Sequence, residues 1–321
     1  MKKSLLFSLA LTLLCTLVVY RTARTQSPGS EVVEIIQHRI NMRLGFAPTA
    51  GGTGVVTPPI NYGGGKLIGT PVIYYIWYGN WNQNNGADTT GGQQILRDFA
   101  RTIGGSAHFQ INTTYNAGGY TITGNVSFGG ETTDNYSLGK RLNDSGVQTV
   151  VKNAINNGKL PYDANGVYFV LTSSDVAESS GFCRIYCGWH TSATVTLSGT
   201  GKLVRYSYVG NAAKCLSACA AQTTGPNGNA GVDAMVSIIT HELEEATTDP
   251  DPRSGWTDSS GAENADKCAW TFGQNQLQTS TGAYYNVTLG VGTSMQRNYL
   301  IQRNLKHSSS GDTCNVDLSH Q

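Results

Sequence analysis

Apolar and polar positions along the first part of the chain follow strand-like and helix-like patterns in turn. Unbroken β-branched and aromatic runs, at 72–78 and 167–171, are typical of buried strands. Apolar residues three and four positions apart predict amphipathic helices over 92–103 and 145–155. The other predicted strands cover 120–128, 206–209, 284–289 and 298–302. These patterns predict an α+β fold in which a mixed β-sheet packs on a few helices.

A further helical pattern, over about 234–248, carries the residues with the clearest chemistry. Asp233 stands at the N-cap position, and a proline follows the last turn. His241 and Glu245 are four residues apart, so their side chains share one helix face and can bind one metal ion. Glu242 follows the histidine, as the general base does in the H-E-x-x-H helices of zinc peptidases. The alternative is a solvated acidic helix face.

A catalytic zinc ion needs a third protein ligand. Glu263 is the first candidate, and Asp266 is an alternative ligand or a hydrogen-bond partner of His241. Glu245 replaces the second histidine, which makes calcium and manganese alternatives to zinc. His190 is a candidate ligand or transition-state donor, against the alternative of a packed core histidine. The predicted metal ligands are His241, Glu245, Glu263 and Asp266, and the predicted catalytic residues are Glu242 and His190.

Other catalytic templates fit less well. The chain has no G-x-S-x-G motif, and no cysteine is expected to be available for nucleophilic attack. Glycoside hydrolysis stays open, because Glu242 with Glu245 or Glu263 would supply two carboxylates.

The charge of the chain is low overall and concentrated in one stretch. The 22 basic and 21 acidic residues give a formal net charge of +1, so nucleic acid is not expected as a partner. Eight of the 21 acidic residues lie within 242–266. This acidic stretch is where a cation would bind.

The N-terminus has the layout of a secretory signal peptide, which we place at 1–25. Two lysines precede an apolar run over 5–20. No other stretch approaches ~18 consecutive apolar residues, so no membrane span is expected after signal removal. Residues 26–69 are predicted to be a linker or propeptide-like segment, and 70–321 a single domain of a secreted, extracellular protein.

Six cysteines follow the predicted signal, and an even count in an exported chain predicts disulfides. The two C-x-x-x-C pairs are short enough to close locally. The expected pairing is therefore Cys183–Cys187, Cys215–Cys219 and Cys268–Cys314. The alternative is a structural zinc site formed by the four cysteines of the two short pairs.

Several ordered motifs together resemble one known family. They are the aromatic run 74–81, the segment 167–176, the element 182–190, and the His241 helix followed by 263–268. These residues resemble the EXORDIUM, or phosphate-induced protein 1, family over about 70–318. The resemblance implies a secreted single domain, and the plant members are extracellular or cell-wall proteins with no firmly assigned reaction. The polar segment 82–92 departs from the plant pattern, so a hormone-related role is not carried over.

The residues predict a secreted, disulfide-stapled protein with one zincin-like domain. It would be a metal-dependent hydrolase, a peptidase in the first instance, in which Glu242 acts on water beside a divalent metal, zinc in the first place. The expected partner is an extracellular polypeptide or a cell-wall polymer. The alternative is a non-catalytic extracellular, wall-associated factor that binds carbohydrate through exposed tryptophan and tyrosine side chains.

Overall fold

A computed structural model describes residues 48–319 of the chain. The predicted signal peptide and residues 26–47 of the predicted linker lie outside this range. In chain order the strands are β1 (Asn61–Tyr62), β2 (Val72–Tyr78), β3 (Ser127–Asp134), β4 (Arg141–Leu142), β5 (Gly166–Thr172), β6 (Ala177–Glu178), β7 (Gly188–Leu197), β8 (Thr200–Gly210), β9 (Trp256–Thr257), β10 (Leu277–Gln278), β11 (Tyr284–Tyr285), β12 (Val287–Leu289), β13 (Arg297–Tyr299), β14 (Asn304–Lys306) and β15 (Thr313–Asn315). The helices are α1 (Thr90–Thr102), α2 (Asp144–Asn156), α3 (Leu216–Cys219) and α4 (Ala230–Thr248), with 3-10 turns at Phe109–Tyr115, Ala212–Lys214 and Asp266–Cys268.

The main sheet has five strands in the order β3-β2-β5-β8-β7. The four strands β3, β2, β5 and β8 are parallel, whereas the edge strand β7 runs antiparallel to β8. Ser198 and Gly199 join β7 to β8 with positive φ angles of 46° and 81°, as a tight hairpin turn requires. The architecture is therefore the mixed α+β arrangement that the sequence predicted.

Helices cover both faces of the sheet, which explains why its central strands are apolar throughout. The hydroxyl of Tyr75 in β2 donates to the carbonyl of Leu96 in α1. The next residue, Ile76, lies on the opposite face beside Val150 and Ala154 of α2. Parallel strands buried on both faces read as continuous hydrophobic runs. Strands β2 and β5 confirm the strands predicted at 72–78 and 167–171, and α2 confirms the helix predicted from 145.

One strand prediction is wrong, and one strand of the main sheet was not predicted. Alternation over 120–128 predicted a strand, but regular pairing begins only at Ser127. Before it, Ile122 enters a second small core and its backbone N–H donates to the Asn116 side chain. Strand β7 was missed because seven of its ten residues are small or polar and it depends on its pairing with β8.

Residues 48–69, the described part of the predicted linker, pack into the folded body. Ile60 and Leu67 lie in the second core with Trp256 and Leu305. Strand β1 pairs with β9, and the backbone N–H of Val56 donates to the carbonyl of Asp312 at 2.8 Å. The folded body therefore begins before residue 70. Between residues 48 and 319, no helix has the length and apolar character that crossing a membrane requires.

The disulfides differ from the expected local pairing. The bonds are Cys183–Cys215, Cys187–Cys219 and Cys268–Cys314. The third pairing is confirmed, but the two C-x-x-x-C pairs crosslink to each other instead of closing on themselves. Cys215 and Cys219 lie one turn apart at α3, so both side chains point toward the loop that precedes β7. All four sulfurs are thereby used, which excludes the four-cysteine zinc site.

Candidate metal centre

Helix α4 crosses the interior and is buried along almost its whole length. Its N-cap is Asn229, whose side chain accepts from the backbone N–H of Val232, so the prediction of Asp233 as the cap is wrong. Asp233 instead accepts two bonds from Asn227 in the preceding loop. At the other end Asp249 is the C-cap residue, and its side chain accepts backbone N–H groups from the following turn.

The structure brings all six predicted site residues together. His241, Glu242 and Glu245 come from α4, His190 from the edge strand β7, and Glu263 and Asp266 from the loop after β9. Nε2 of His241 lies 2.8 Å from Oε1 of Glu245 and 3.6 Å from Oδ1 of Asp266. These three side chains form one group of potential metal ligands, whose ligand atoms all lie within 4.8 Å of one another.

A second group of potential ligands shares Glu245 with the first. Nε2 of His190 lies 3.0 Å from Oε2 of Glu263 and 3.7 Å from Oε2 of Glu245. The sequence placed Glu263 with His241 as the first choice of third ligand. In the structure Glu263 contacts His190, and Asp266 stands beside His241. The backbone N–H of Asp266 also donates to Oε1 of Glu245 at 3.1 Å.

Glu242 lies on the same side of α4, next to the first residue of β7. A Cβ atom added to Gly188 would be 3.0 Å from Oε1 of Glu242 and 2.6 Å from Ile238. The missing side chain therefore lets β7 approach α4 closely. Because residues two apart in a strand share a face, Gly188 and His190 both face the helix.

The site is deeply buried, and one of its side chains is partly exposed. His190, His241, Glu242, Glu245 and Glu263 are at most 1% exposed. The Asp266 side chain is 17% exposed. Water or a ligand therefore has its nearest approach at Asp266.

Burial and the carboxylates act against each other on the two histidines. Burial, reinforced by the neighbouring His241, lowers the pKa of His190 to about 3, so this imidazole is neutral. Burial would also lower the pKa of His241, but Glu245, Asp266 and Glu242 outweigh it and raise that pKa well above its ordinary value. Burial raises the pKa of Glu245 although an imidazole is adjacent. The carboxylates therefore favour positive charge at the histidine face of α4.

The loop that carries Glu263 and Asp266 is fixed at both ends. Asp258 accepts backbone N–H groups from Ser260 and Ala262, at 2.8 and 3.0 Å, and forms an ion pair with Lys267. The residue after Lys267 is Cys268, which forms a disulfide with Cys314. Both acidic residues thus sit between anchored points, which is what positioning ligands requires.

The comparison with known proteins assigns the chain to a family. The family model described as "Phosphate-induced protein 1 conserved region" matches residues 60–314. The chain belongs to this family. The matched region contains all six site residues, and it begins ten residues before the predicted domain start.

Two plant proteins are similar to this chain. Protein EXORDIUM-like 3 of Arabidopsis thaliana is 30% identical over 276 residues, which cover 74% of this chain and 77% of the relative. Protein EXORDIUM-like 5 of the same plant is 32% identical over 214 residues, 58% of this chain and 56% of the relative. No solved structure matches the chain. Family membership and the three disulfides are consistent with an extracellular protein.

Sequence reasoning missed a second histidine–carboxylate pair on α4. Nε2 of His108 lies 3.0 Å from Oε1 of Glu244, and Nδ1 of His108 lies 2.5 Å from the carbonyl oxygen of Val316. This pair joins α4 to the C-terminal segment. His108 stands more than 130 positions before Glu244, so nothing in the local sequence pattern connects the two residues.

Proposed function

We propose that this family member is a secreted metal-dependent hydrolase with a zincin-like site, acting on peptide bonds of an extracellular polypeptide or cell-wall polymer. The observation that carries the proposal is the buried cluster in which His241, Glu245 and Asp266 converge, with Glu242 adjacent on the same helix. Within residues 48–319, the ion pairs of Glu245 and Asp266 are with histidines alone. Buried carboxylates are normally paired or bound to metal.

The donor types favour a transition metal. Ca²⁺ takes oxygen ligands, whereas imidazole together with carboxylate suits zinc and manganese. Both histidines of the site are buried, and both place Nε2 next to a carboxylate oxygen. Zinc or manganese is therefore the cation we propose, with His241, Glu245 and Asp266 as first ligands.

The residues of the site divide the hydrolytic work between them. The cation would act as a Lewis acid that lowers the pKa of water and polarises the scissile carbonyl. Glu242 would take a proton from that water and pass it to the leaving amine. Nε2 of His190 faces Glu263 at 3.0 Å, so positioning that carboxylate fits this histidine better than donating to a transition state.

The test is the metal content and activity of the purified full chain. We expect zinc or manganese in the wild type, its loss in His241→Ala, and its retention in Glu242→Gln together with loss of hydrolysis of an unfolded protein substrate. Glu131→Gln, on the edge strand β3, is the matched control and should keep both properties. A wild-type chain that binds neither metal would refute the proposal, and bound metal without turnover would make the site structural.

The carbohydrate-binding alternative gains no support from the aromatic side chains. All five tryptophans are at most 8% exposed, whereas a stacking platform for sugars needs an exposed ring. Among the described tyrosines, only Tyr162 is exposed, with 39% of its surface accessible. The metal-dependent hydrolase therefore remains the function we propose.

A further inference from the structure

Glu245 stands between two histidines and offers a different oxygen to each. Its Oε1 lies 2.8 Å from Nε2 of His241, and its Oε2 lies 3.7 Å from Nε2 of His190. Each histidine has a second carboxylate beside it, Asp266 for His241 and Glu263 for His190. Each group thus has one imidazole and one carboxylate of its own, and the two groups share the carboxylate of Glu245.

The close contacts in this cluster are not all hydrogen bonds. Nε2 of His241 has no hydrogen-bond partner of acceptable geometry within residues 48–319, although it lies 2.8 Å from a carboxylate oxygen. In the same range, Oε2 of Glu245 also has none. Buried polar atoms without hydrogen bonds need an explanation. Atoms that approach closely without donating to one another are placed as ligands of a common cation would be.

We propose that the centre takes two divalent transition-metal cations, with Glu245 as the bridging carboxylate. The first would be held by His241 and Asp266, the second by His190 and Glu263. The inference rests on the metal site of the proposed function, and it adds a second ion, a second ligand set and a new role for His190. It does not depend on hydrolysis.

The distances fit this assignment. Ligand atoms about 2.0–2.1 Å from a tetrahedral ion are about 3.4 Å apart. In the first group the distances from His241 to Glu245 and Asp266 are 2.8 and 3.6 Å. In the second group those from His190 to Glu263 and Glu245 are 3.0 and 3.7 Å. Shifts of a few tenths of an ångström would therefore bring both sets to coordination distance.

The charge also favours two ions. The two sets contain three carboxylates, whose formal charge is −3 when all are deprotonated as metal ligands must be, and Glu245 and Glu263 are 0% exposed. One divalent ion would leave part of this charge uncompensated inside the protein, which is costly. Two-metal sites, with ions about 3.5–4 Å apart, are a known arrangement in hydrolytic centres.

The experiment measures stoichiometry on the full chain with Mn²⁺ as the probe. We expect the purified wild type, titrated with Mn²⁺ after removal of bound metal, to bind two equivalents and to give the spin-coupled electron paramagnetic resonance spectrum of a manganese pair. Glu263→Gln and Asp266→Asn should each keep one equivalent with an uncoupled spectrum. Glu131→Gln is the control and should bind two.

Each outcome of this experiment decides the inference. One equivalent in the wild type, or an uncoupled spectrum, overturns the two-ion centre and leaves the proposed function standing. No bound Mn²⁺ or zinc overturns both. If Glu263→Gln or Asp266→Asn fails to fold, as thermal unfolding would reveal, the stoichiometry and spectrum of the wild type still give the answer.

Discussion

Replacing Gly188 by alanine tests whether the close approach of β7 to α4 builds the site. The added Cβ would be 2.6 Å from Cγ2 of Ile238 and 3.0 Å from both Oε1 of Glu242 and the carbonyl oxygen of Tyr208. Because carbon atoms pack at about 3.5–4.0 Å, the strand and helix must separate by roughly 1 Å. That displacement moves His190, two residues along β7, away from the carboxylates of α4.

The magnitude follows from the cost of overpacking. An extra methyl group in a well-packed interior costs about 1–3 kcal/mol. For a domain of this size, each kcal/mol lowers Tm by about 2–4 °C, so we expect a fall of about 2–12 °C. We also expect metal affinity to fall about tenfold or more, because changes next to metal ligands weaken binding by this order.

Thermal unfolding and metal titration of the variant are the assays. Gly201→Ala is the matched control, since this glycine is exposed near the start of β8 and its added Cβ would meet only Thr194, at 3.3 Å. We expect the control to match the wild type in both measurements. Wild-type values for Gly188→Ala would refute the reasoning that β7 must approach α4 at this residue.

Two further predictions concern the loop and the N-terminal segment. Lys267 and neighbouring N–H groups outweigh burial and lower the pKa of Asp258 to about 2, so this carboxylate stabilises the fold above pH ~4 and loses that effect as pH falls toward 2. We therefore expect the loss of unfolding free energy caused by Lys267→Met, measured by urea unfolding, to be about 1–2 kcal/mol smaller at pH 2 than at pH 5. An equal loss at the two pH values would contradict this. A chain shortened to begin at residue 70 loses Ile60 from the second core. Its free energy of unfolding should be lower than that of a chain beginning at 48 by at least the ~1.5–3 kcal/mol of one buried side chain, and its unfolding temperature should fall accordingly. Equal unfolding temperatures would mean that residues 48–69 add no stability.

The sequence predicted the strands that are apolar throughout because both of their faces are buried. Strands β2 and β5 are continuous apolar runs, so their burial on both faces is visible without knowing their partners. Strand β7 mixes threonine, serine and alanine, and only the hairpin with β8 makes it a strand. The disulfides were wrong in the same way, because sequence spacing says nothing about which segments meet in space.

The candidate site shows the same division. The spacing of His241 and Glu245 on one helix correctly placed the two side chains on one face, because the helix period alone fixes that relation. The sequence also offered Asp266 as a partner of His241, and the structure places the two side chains 3.6 Å apart. The contact of Glu263 with His190 could not be predicted, since it depends on the path of the loop between Asp258 and Lys267.

The two disulfides Cys183–Cys215 and Cys187–Cys219 tie the strand of one site histidine to the segment before the helix of the other. Cys183 and Cys187 lead directly into β7, which carries His190, and both are bonded to the segment that precedes α4, which carries His241. Such bonds form in oxidising compartments, whereas the cysteines stay reduced in the cytosol. We therefore expect the two imidazoles to reach their final separation only after export. The proposed metal centre would then take its ion from those available outside the cell, since a cytosolic chain would not yet hold the proposed ligands in place.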